Sequence, residues 1–284
     1  MRIGLVLSGG MAKGAYQIGA LRALEEFIPR EKIQYISCAS VGVLNGYAYA
    51  TGCLDRAANM WQNVCSDDSR LMIGQILRSS LLQQNIINLY NPKVPLRSTF
   101  YTSLLDLSHR NIVYKDLSSV EQKKLPLYLK ASVAMPVYNR AVSLDNTSYY
   151  DGAMIDNIPV YPLQKHNLDY ILCFYFDDTC YQFENPAFDK KIIKITFPAT
   201  SMLRQSVIFR KDDINKMIQS GYDRTTQVLQ SVFFKGYEDL DHIYRTIAGM
   251  NRTNAESGSL RITGDMLVTN LNKITKKLTK RKIL

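Results

Sequence analysis

The sequence predicts an α/β domain running to about residue 200, followed by a helical C-terminal extension. Three observations carry that expectation. Residues 2–8, RIGLVLS, are an apolar run ending in glycines, and AYQIGALRALEEFI (15–28) then sets Ile18, Leu21, Leu24 and Phe27 or Ile28 at helical spacing. YISCAS (35–40) repeats the pattern and leads into VLNGYAYATG. DYILCFYF (169–176) and KKIIKITF (190–197) read as two further apolar strands, after which SVIFRKDDINKMIQSGYDRTTQVLQSVF has helical periodicity. Strand, glycine-rich turn and helix in succession form the repeating unit of an α/β sheet.

The remaining segments follow in order. Residues 54–90 read as helices, with the single tryptophan, Trp61, on an apolar face, and NPKVPL (91–96) is a loop signal. Between 109 and 160, NIVYKDL, LPLYLKASVA, RAVSLD and SYYDG read as short β-rich pieces separated by polar or proline turns. No internal repeat or low-complexity linker interrupts them. The expected organisation is a catalytic α/β domain over 1–200 and a helical extension over 201–284, acting as a lid or as a membrane or partner contact.

Composition narrows the class. The 284 residues are 46% apolar and 21% charged, a globular balance able to bury a substantial core. No stretch approaches the roughly 18 apolar residues of a transmembrane helix, and MRIGLVL is too short for a signal peptide. Five cysteines (38, 53, 65, 173 and 180) form no CxxC pair and no His/Cys cluster, which argues for a reducing, cytoplasmic compartment and against a structural zinc site. The net charge of +10 is uneven: the last 14 residues, LNKITKKLTKRKIL, hold six Lys or Arg and no acid. Leu271, Ile274 and Leu278 would give a helix there one apolar and one basic face. A solvated terminal helix and peripheral docking of 271–284 on an anionic inner membrane face both fit; the lack of interleaved aromatic residues counts against single-stranded nucleic acid.

SGGMAKGAYQIG (8–19) is the first candidate site. It fails as a phosphate-binding P-loop, because Ala15-Tyr16 stand where Lys-Ser/Thr is needed after Gly14. It fails as a dinucleotide fingerprint, because Met11 occupies the central glycine position and YISCAS ends without an acid. Two readings remain: a nonspecific anion site at a helix N-terminus, and an oxyanion turn whose backbone N–H groups stabilise a tetrahedral acyl-transfer intermediate. In the second, Lys13 adds a positive charge beside Gly9, Gly10, Met11 and Gly14.

CASVGVLN (38–45) is the second. Ser40 and Gly42 fit the last three positions of G-x-S-x-G, a strained strand-to-helix elbow that exposes a serine nucleophile, with Cys38 at the first glycine. A strand-end serine that caps the following helix is the plainer alternative. The histidines available as a base, His109, His166 and His242, sit in segments with no catalytic character. Asp151, in SYYDGAMIDNIPVYPL, is the acid of interest, although Asp-Gly is also an ordinary turn.

Together, in this order and spacing, LVLSGGMAKGAYQIGALRAL, CASVGVLNG, ASVAMPVYN and YYDGAMIDNIPV resemble the patatin-like phospholipase family. The corresponding family forms are G-G-G-x-[RK]-G-x-x-x-x-G, G-x-S-x-G with a following Leu-Asn, A-S-x-A-x-P and D-G-[GA]-x-x-x-N-x-P. The resemblance covers about residues 3–165. It implies a three-layer α/β/α fold with a central, mostly parallel sheet, and a lipid or ester substrate cleaved without metal or cofactor by a Ser40–Asp151 dyad. Gly9, Gly10, Met11, Lys13 and Gly14 would form the oxyanion turn, with the Gly10 and Met11 amides as direct donors. Gly152, Asn157 and Pro159 would shape the loop that positions Asp151. The chain departs from the family where Met11 replaces a third glycine, where Lys13 stands in place of the commoner Arg, and where Cys38 replaces the first elbow glycine. If position 11 needs a positive φ, Met there costs about 1–2 kcal/mol. Because a carboxylate is a weak base for serine in water, the dyad requires a desolvated Asp151. A non-catalytic lipid- or protein-binding member of the fold, and an acyltransferase, are the alternative functions.

Overall fold

The structure is a computed structural model that describes residues 1–63, 71–72, 80–136, 138–176, 183, 186–197, 208–209, 211–257 and 281–284. In chain order the strands are β1 (Ile3–Leu7), β2 (Ile33–Cys38), β3 (Leu71–Met72), β4 (Thr99–Asp106), β5 (Asn111–Asp116), β6 (Val142–Leu144), β7 (Thr147–Asp151), β8 (Tyr170–Phe176), β9 (Ile192–Phe197), β10 (Ile208–Phe209) and β11 (Arg281–Ile283). The helices are α1 (Gly14–Phe27), α2 (Val41–Ala50), α3 (Leu54–Asn63), α4 (Ser80–Leu89), α5 (Leu125–Ala131), α6 (Pro186–Asp189), α7 (Lys211–Val232) and α8 (Leu240–Ser257).

The main sheet runs β11-β5-β4-β2-β1-β8-β9. Strands β4, β2, β1, β8 and β9 are mutually parallel, as the α/β unit requires, while β5 returns antiparallel to β4. The central strands are buried on both faces, and their side chains alternate between two apolar clusters. Ile3, Leu5 and Leu7 of β1 join Leu172, Phe174 and Phe176 of β8 in the larger cluster. Val6, Ile171, Cys173 and Tyr175 point the other way into the smaller one. Helices α1, α2, α3, α7 and α8 contribute to the larger cluster. Among the described residues the opposite face is covered more thinly, by Val160, Leu163 and Leu168 around a 3-10 turn at Tyr161–Lys165 and by α6 through Phe188.

Strand β4 does two jobs along one edge. Residues Thr99–Thr102 pair with β2, and Leu104–Asp106 pair with the antiparallel β7. The last residues of β2 and β7, Cys38 and Asp151, therefore meet almost end to end, opposite Thr102 and Leu104. The β6–β7 hairpin that delivers Asp151 turns on Asp145 and Asn146, at φ 49 and 63, a two-residue connection with both φ positive that suits these side chains.

Three expectations change. LPLYLKASVA does not form a strand: Leu125–Ala131 is helix α5, because Pro126 sits in its first turn, where a missing N–H costs nothing, and Leu125, Tyr128 and Leu129 then fall on one buried face. The helical reading of 54–90 is interrupted by β3, which pairs antiparallel with β10. The end of the basic tail is not helical: β11 adds parallel to β5, the Leu284 amide donates to Tyr114 O at 2.9 Å, and Leu284 O accepts from the Asp116 amide at 2.8 Å. Residues 271–280, which carry the rest of the expected amphipathic face, lie outside the described residues, as does the 200/201 boundary. Helix α7 packs directly on the domain. It crosses α1 at Gly19 and Gly221, where a Cβ on either glycine would strike the backbone of the other helix, at Ile218 and Tyr16 respectively.

Candidate active site

Ser40 follows β2 and opens α2 at φ 52, ψ −132, a backbone state that L residues rarely adopt and that costs of order 1–3 kcal/mol. It occupies the N-cap position, yet its side chain makes no capping hydrogen bond, so the plainer helix-cap role is absent. The elbow is tight on both sides. A Cβ at Gly42 would lie 2.7 Å from Leu7 O and Ser8 O, so only glycine lets α2 start this close to the end of β1. Cys38 is fully buried, and its Sγ lies 2.6 Å from where a Cβ at Gly46 would be. The extra bulk at 38 is therefore accommodated by the missing bulk at 46.

Asp151 arrives from the other direction, at the end of β7. Its amide donates to Ala134 O at 2.8 Å, which is what the ASVA segment contributes, and its Oδ1 accepts from the Ala153 amide at 2.9 Å. The residue is 2% exposed. Burial pushes the carboxyl from its ordinary 3.8 up to about 7, with the Ser40 hydroxyl and the Ala153 amide pulling back as hydrogen-bond donors to the charged form. An acid of this kind exchanges its proton near neutrality, as a general base must.

The loop after Asp151 is held from four sides. Asn157 clamps Gly9 twice, its carbonyl accepting from the Gly9 amide at 3.3 Å and its Nδ2 donating to Gly9 O at 3.2 Å. Pro159 O accepts from Ser37 Oγ at 2.6 Å. Tyr114 Oη donates to Asp156 Oδ2 at 2.7 Å, and Ser103 Oγ to Asp156 O at 3.4 Å. Burial, and then the neighbouring Asp156 charge, hold the Tyr114 phenol protonated. Gly152 packs on the backbone of Ser103 and Leu104 with no room for a side chain.

The glycine turn completes the site. A Cβ at Gly9 would fall 2.5 Å from Asn157 Oδ1 and 2.7 Å from Ser40 Cβ, which sets the turn against the elbow. Gly10 lies under the Phe176 ring. Met11 takes φ 51, the strained value its replacement of glycine implied, and starts a 3-10 turn that leads through Lys13 into α1. The Gly9 amide is committed to Asn157 O, whereas among the described residues the Gly10 and Met11 amides meet no acceptor. Lys13 is buried, its Nζ 5.9 Å from the Phe176 ring centre. The three histidines lie elsewhere: His109 bonds Asp106, His166 contacts Tyr101 Oη, and His242 contacts Ser231 O. Among the described residues no three of His, Cys, Asp and Glu are grouped to hold a metal, and no helix is long and apolar enough to cross a membrane.

Sequence reasoning did not single out Ser37, Ser103, Tyr114 or Asp156. Each is an ordinary residue inside a strand or loop, and only the fold brings it behind the loop that follows Asp151.

Comparison with known proteins follows the same residues. The model of the patatin-like phospholipase family matches residues 5–163. A lysophospholipase, NTE1, of Cryptococcus neoformans var. neoformans serotype D (strain JEC21 / ATCC MYA-565), is 26% identical over 181 residues, 59% of this chain and 11% of that protein. The chain thus spans about a tenth of the curated relative it matches. Among solved structures, VipD from Legionella pneumophila superposes with TM-score 0.49 and 14% identity, covering 81% of this chain and 67% of VipD. ExoU in complex with SpcU, from the type III secretion system of Pseudomonas aeruginosa, gives TM-score 0.46 and 15% identity, covering 81% of this chain and 52% of the other.

Proposed function

The chain belongs to the patatin-like phospholipase family, and from that membership we propose that it is a serine lipid acyl hydrolase working through a Ser40–Asp151 dyad. One observation carries the reading: the buried Asp151 carboxyl, its pKa pushed up to about 7, accepts a hydrogen bond from the hydroxyl of Ser40, which is held in a strained elbow. Among the described residues no histidine bonds to either residue, which supports the carboxylate as the base.

In the first half-reaction the Asp151 carboxylate takes the Ser40 hydroxyl proton as Oγ attacks an ester carbonyl. The carbonyl oxygen becomes an oxyanion facing the Gly10 and Met11 amides, and a preorganised donor of this type is worth about 3 kcal/mol. Collapse breaks the bond to the alcohol, which leaves with the proton from Asp151, and Ser40 remains acylated. Water then gives a proton to Asp151 and attacks the acyl carbonyl. The second collapse releases the fatty acid and returns the proton to Ser40. Met11 serves here through its main chain, so replacing a glycine side chain removes no reacting atom.

The matched relative is a lysophospholipase, so a lysophospholipid is the first lipid to supply, beside short p-nitrophenyl esters. The test is labelling by a fluorophosphonate probe and hydrolysis of these esters by the wild type, Ser40→Ala and Asp151→Asn. Labelling confined to chains that retain Ser40, with hydrolysis lost in both variants, is the expected result. Hydrolysis retained in both variants refutes the assignment.

A further inference from the structure

The glycine turn hangs between two anchors, and both lead to one side chain on α2. At its upstream end Ser8 O accepts from Gln17 Nε2 at 2.8 Å. At its downstream end Gly14 O accepts from Asn45 Nδ2 at 2.9 Å. The same Nδ2 donates to Gln17 Oε1 at 2.9 Å, and Asn45 Oδ1 accepts from Trp61 Nε1 at 2.9 Å. All three side chains are buried.

The direction of this chain is fixed chemically. An indole N–H only donates, so Asn45 must turn its oxygen to Trp61 and its amide protons to Gly14 and Gln17. Gln17 then offers its oxygen to Asn45 and its amide protons to Ser8. The donor on α3 and the accept-only carbonyls of Ser8 and Gly14 demand the same orientation of both amides, and the chain of donors ends on the two carbonyls that bracket the turn. Between those carbonyls lie the Gly10 and Met11 amides, with Met11 held at φ 51. A strained turn persists only where its surroundings over-determine it. Without the anchors, Met11 relaxes to negative φ and its amide swings away from Ser40.

We propose that Asn45 is a positioning residue for the reaction, holding both ends of the oxyanion turn at a set distance from Ser40. Ser40 stands at the N-terminus of the helix that carries Asn45, so nucleophile and oxyanion donors share one support. The proposal rests on the acyl-hydrolase reading of Ser40 and the glycine turn.

Because Trp61 is the sole tryptophan, its emission reports on this chain of bonds whether or not the protein is active. The experiment compares wild type, Asn45→Asp, Gln17→Met and, as a control at the far end of α1, Leu24→Val. Each is assayed below its melting temperature for kcat and KM on a p-nitrophenyl ester, and for tryptophan emission. Asn45→Asp keeps the acceptor for Trp61 but sets a carboxylate against two oxygens. Its kcat is expected to fall about a hundredfold with KM within about threefold, because a misplacement of about 1 Å is enough for that loss. Gln17→Met frees only the upstream anchor and is expected to lose about tenfold in kcat. Both shift Trp61 emission, and Leu24→Val changes neither kcat nor emission.

If Asn45→Asp fails to fold, the Gln17→Met result decides. An active wild type whose anchor variants keep wild-type kcat, or whose emission is unmoved in both, overturns this proposal alone. A wild type that neither hydrolyses esters nor labels at Ser40 overturns the acyl-hydrolase reading as well, and the proposal with it.

Discussion

Replacing Asp151 by Asn should abolish hydrolysis and at the same time stabilise the protein, by an amount set by pH. In the fold the carboxyl titrates at about 7 against an ordinary 3.8. A raised acid binds its proton more tightly in the folded chain than in the unfolded one. Stability therefore falls as pH rises from about 4 to about 7, and the full cost is present above that window. The shift of roughly 3 units at 1.36 kcal/mol each gives a cost of about 4 kcal/mol. Asn keeps the shape and can still accept from the Ala153 amide at the 2.9 Å site, but it carries no charge to bury. At pH 8.5 the variant should melt about 8 °C or more above the wild type, at about 2 °C per kcal/mol for a chain of this size. At pH 4.5 the two should nearly coincide. The assay is thermal unfolding at both pH values, with ester hydrolysis measured in parallel. A gain that is absent at pH 8.5, or equal at both pH values, refutes the reasoning, because the change would then reflect packing rather than the buried charge.

Three further outcomes are expected. Wild-type kcat/KM on a p-nitrophenyl ester should rise with pH through an apparent pKa near 7, because only the charged Asp151 accepts a proton; a flat profile from pH 5.5 to 8.5 contradicts that base. Gly46→Ala should cost about 1–3 kcal/mol by overpacking against Cys38 Sγ, while the double variant with Cys38→Gly should recover most of it. Additive losses in urea unfolding would show that the two positions are independent. Gly19→Ala should lower the urea midpoint more than an alanine at half-buried Gly249, where an added Cβ meets nothing within 4 Å, because it drives α1 off α7; equal midpoints would remove the close helix crossing.

The candidate site was legible because its parts are local. Ser40 with Gly42, the turn at Gly9–Gly14, and Asp151 with Asn157 each lie within a few residues of one another, where the chemistry imposes spacing. The need for a desolvated base follows from the weakness of a carboxylate, and Asp151 is 2% exposed. Strand β4 was not legible. Thr102 and Ser103 are fully buried in it, the first bonded to Ser132 and the second to Asp156 O, so polar residues sit where alternation would ask for apolar ones. Helix α5 was misread because Leu-Pro-Leu-Tyr-Leu suits a strand until Pro126 is seen as a first-turn residue. The Trp61–Asn45–Gln17 chain was illegible in principle, since its members come from three helices and share no sequence spacing.

The pairing of β1 also bears on when the site comes into being. Its partner on one side, β2, lies close in sequence, and Leu7 pairs with Cys38; on the other side Leu7 pairs with Phe174. The Ser8 amide reaches Phe174 O, and Gly10 is roofed by Phe176. Closing the longer loop carries the larger entropy cost, so contacts with β8 form on a slower timescale than those with β2. The elbow can assemble early, but the turn that faces it stays unframed until β8 docks. A partly folded chain would thus carry Ser40 in its elbow before the glycine turn is framed, and the proposed site is complete only with one of the most distant contacts in the sheet.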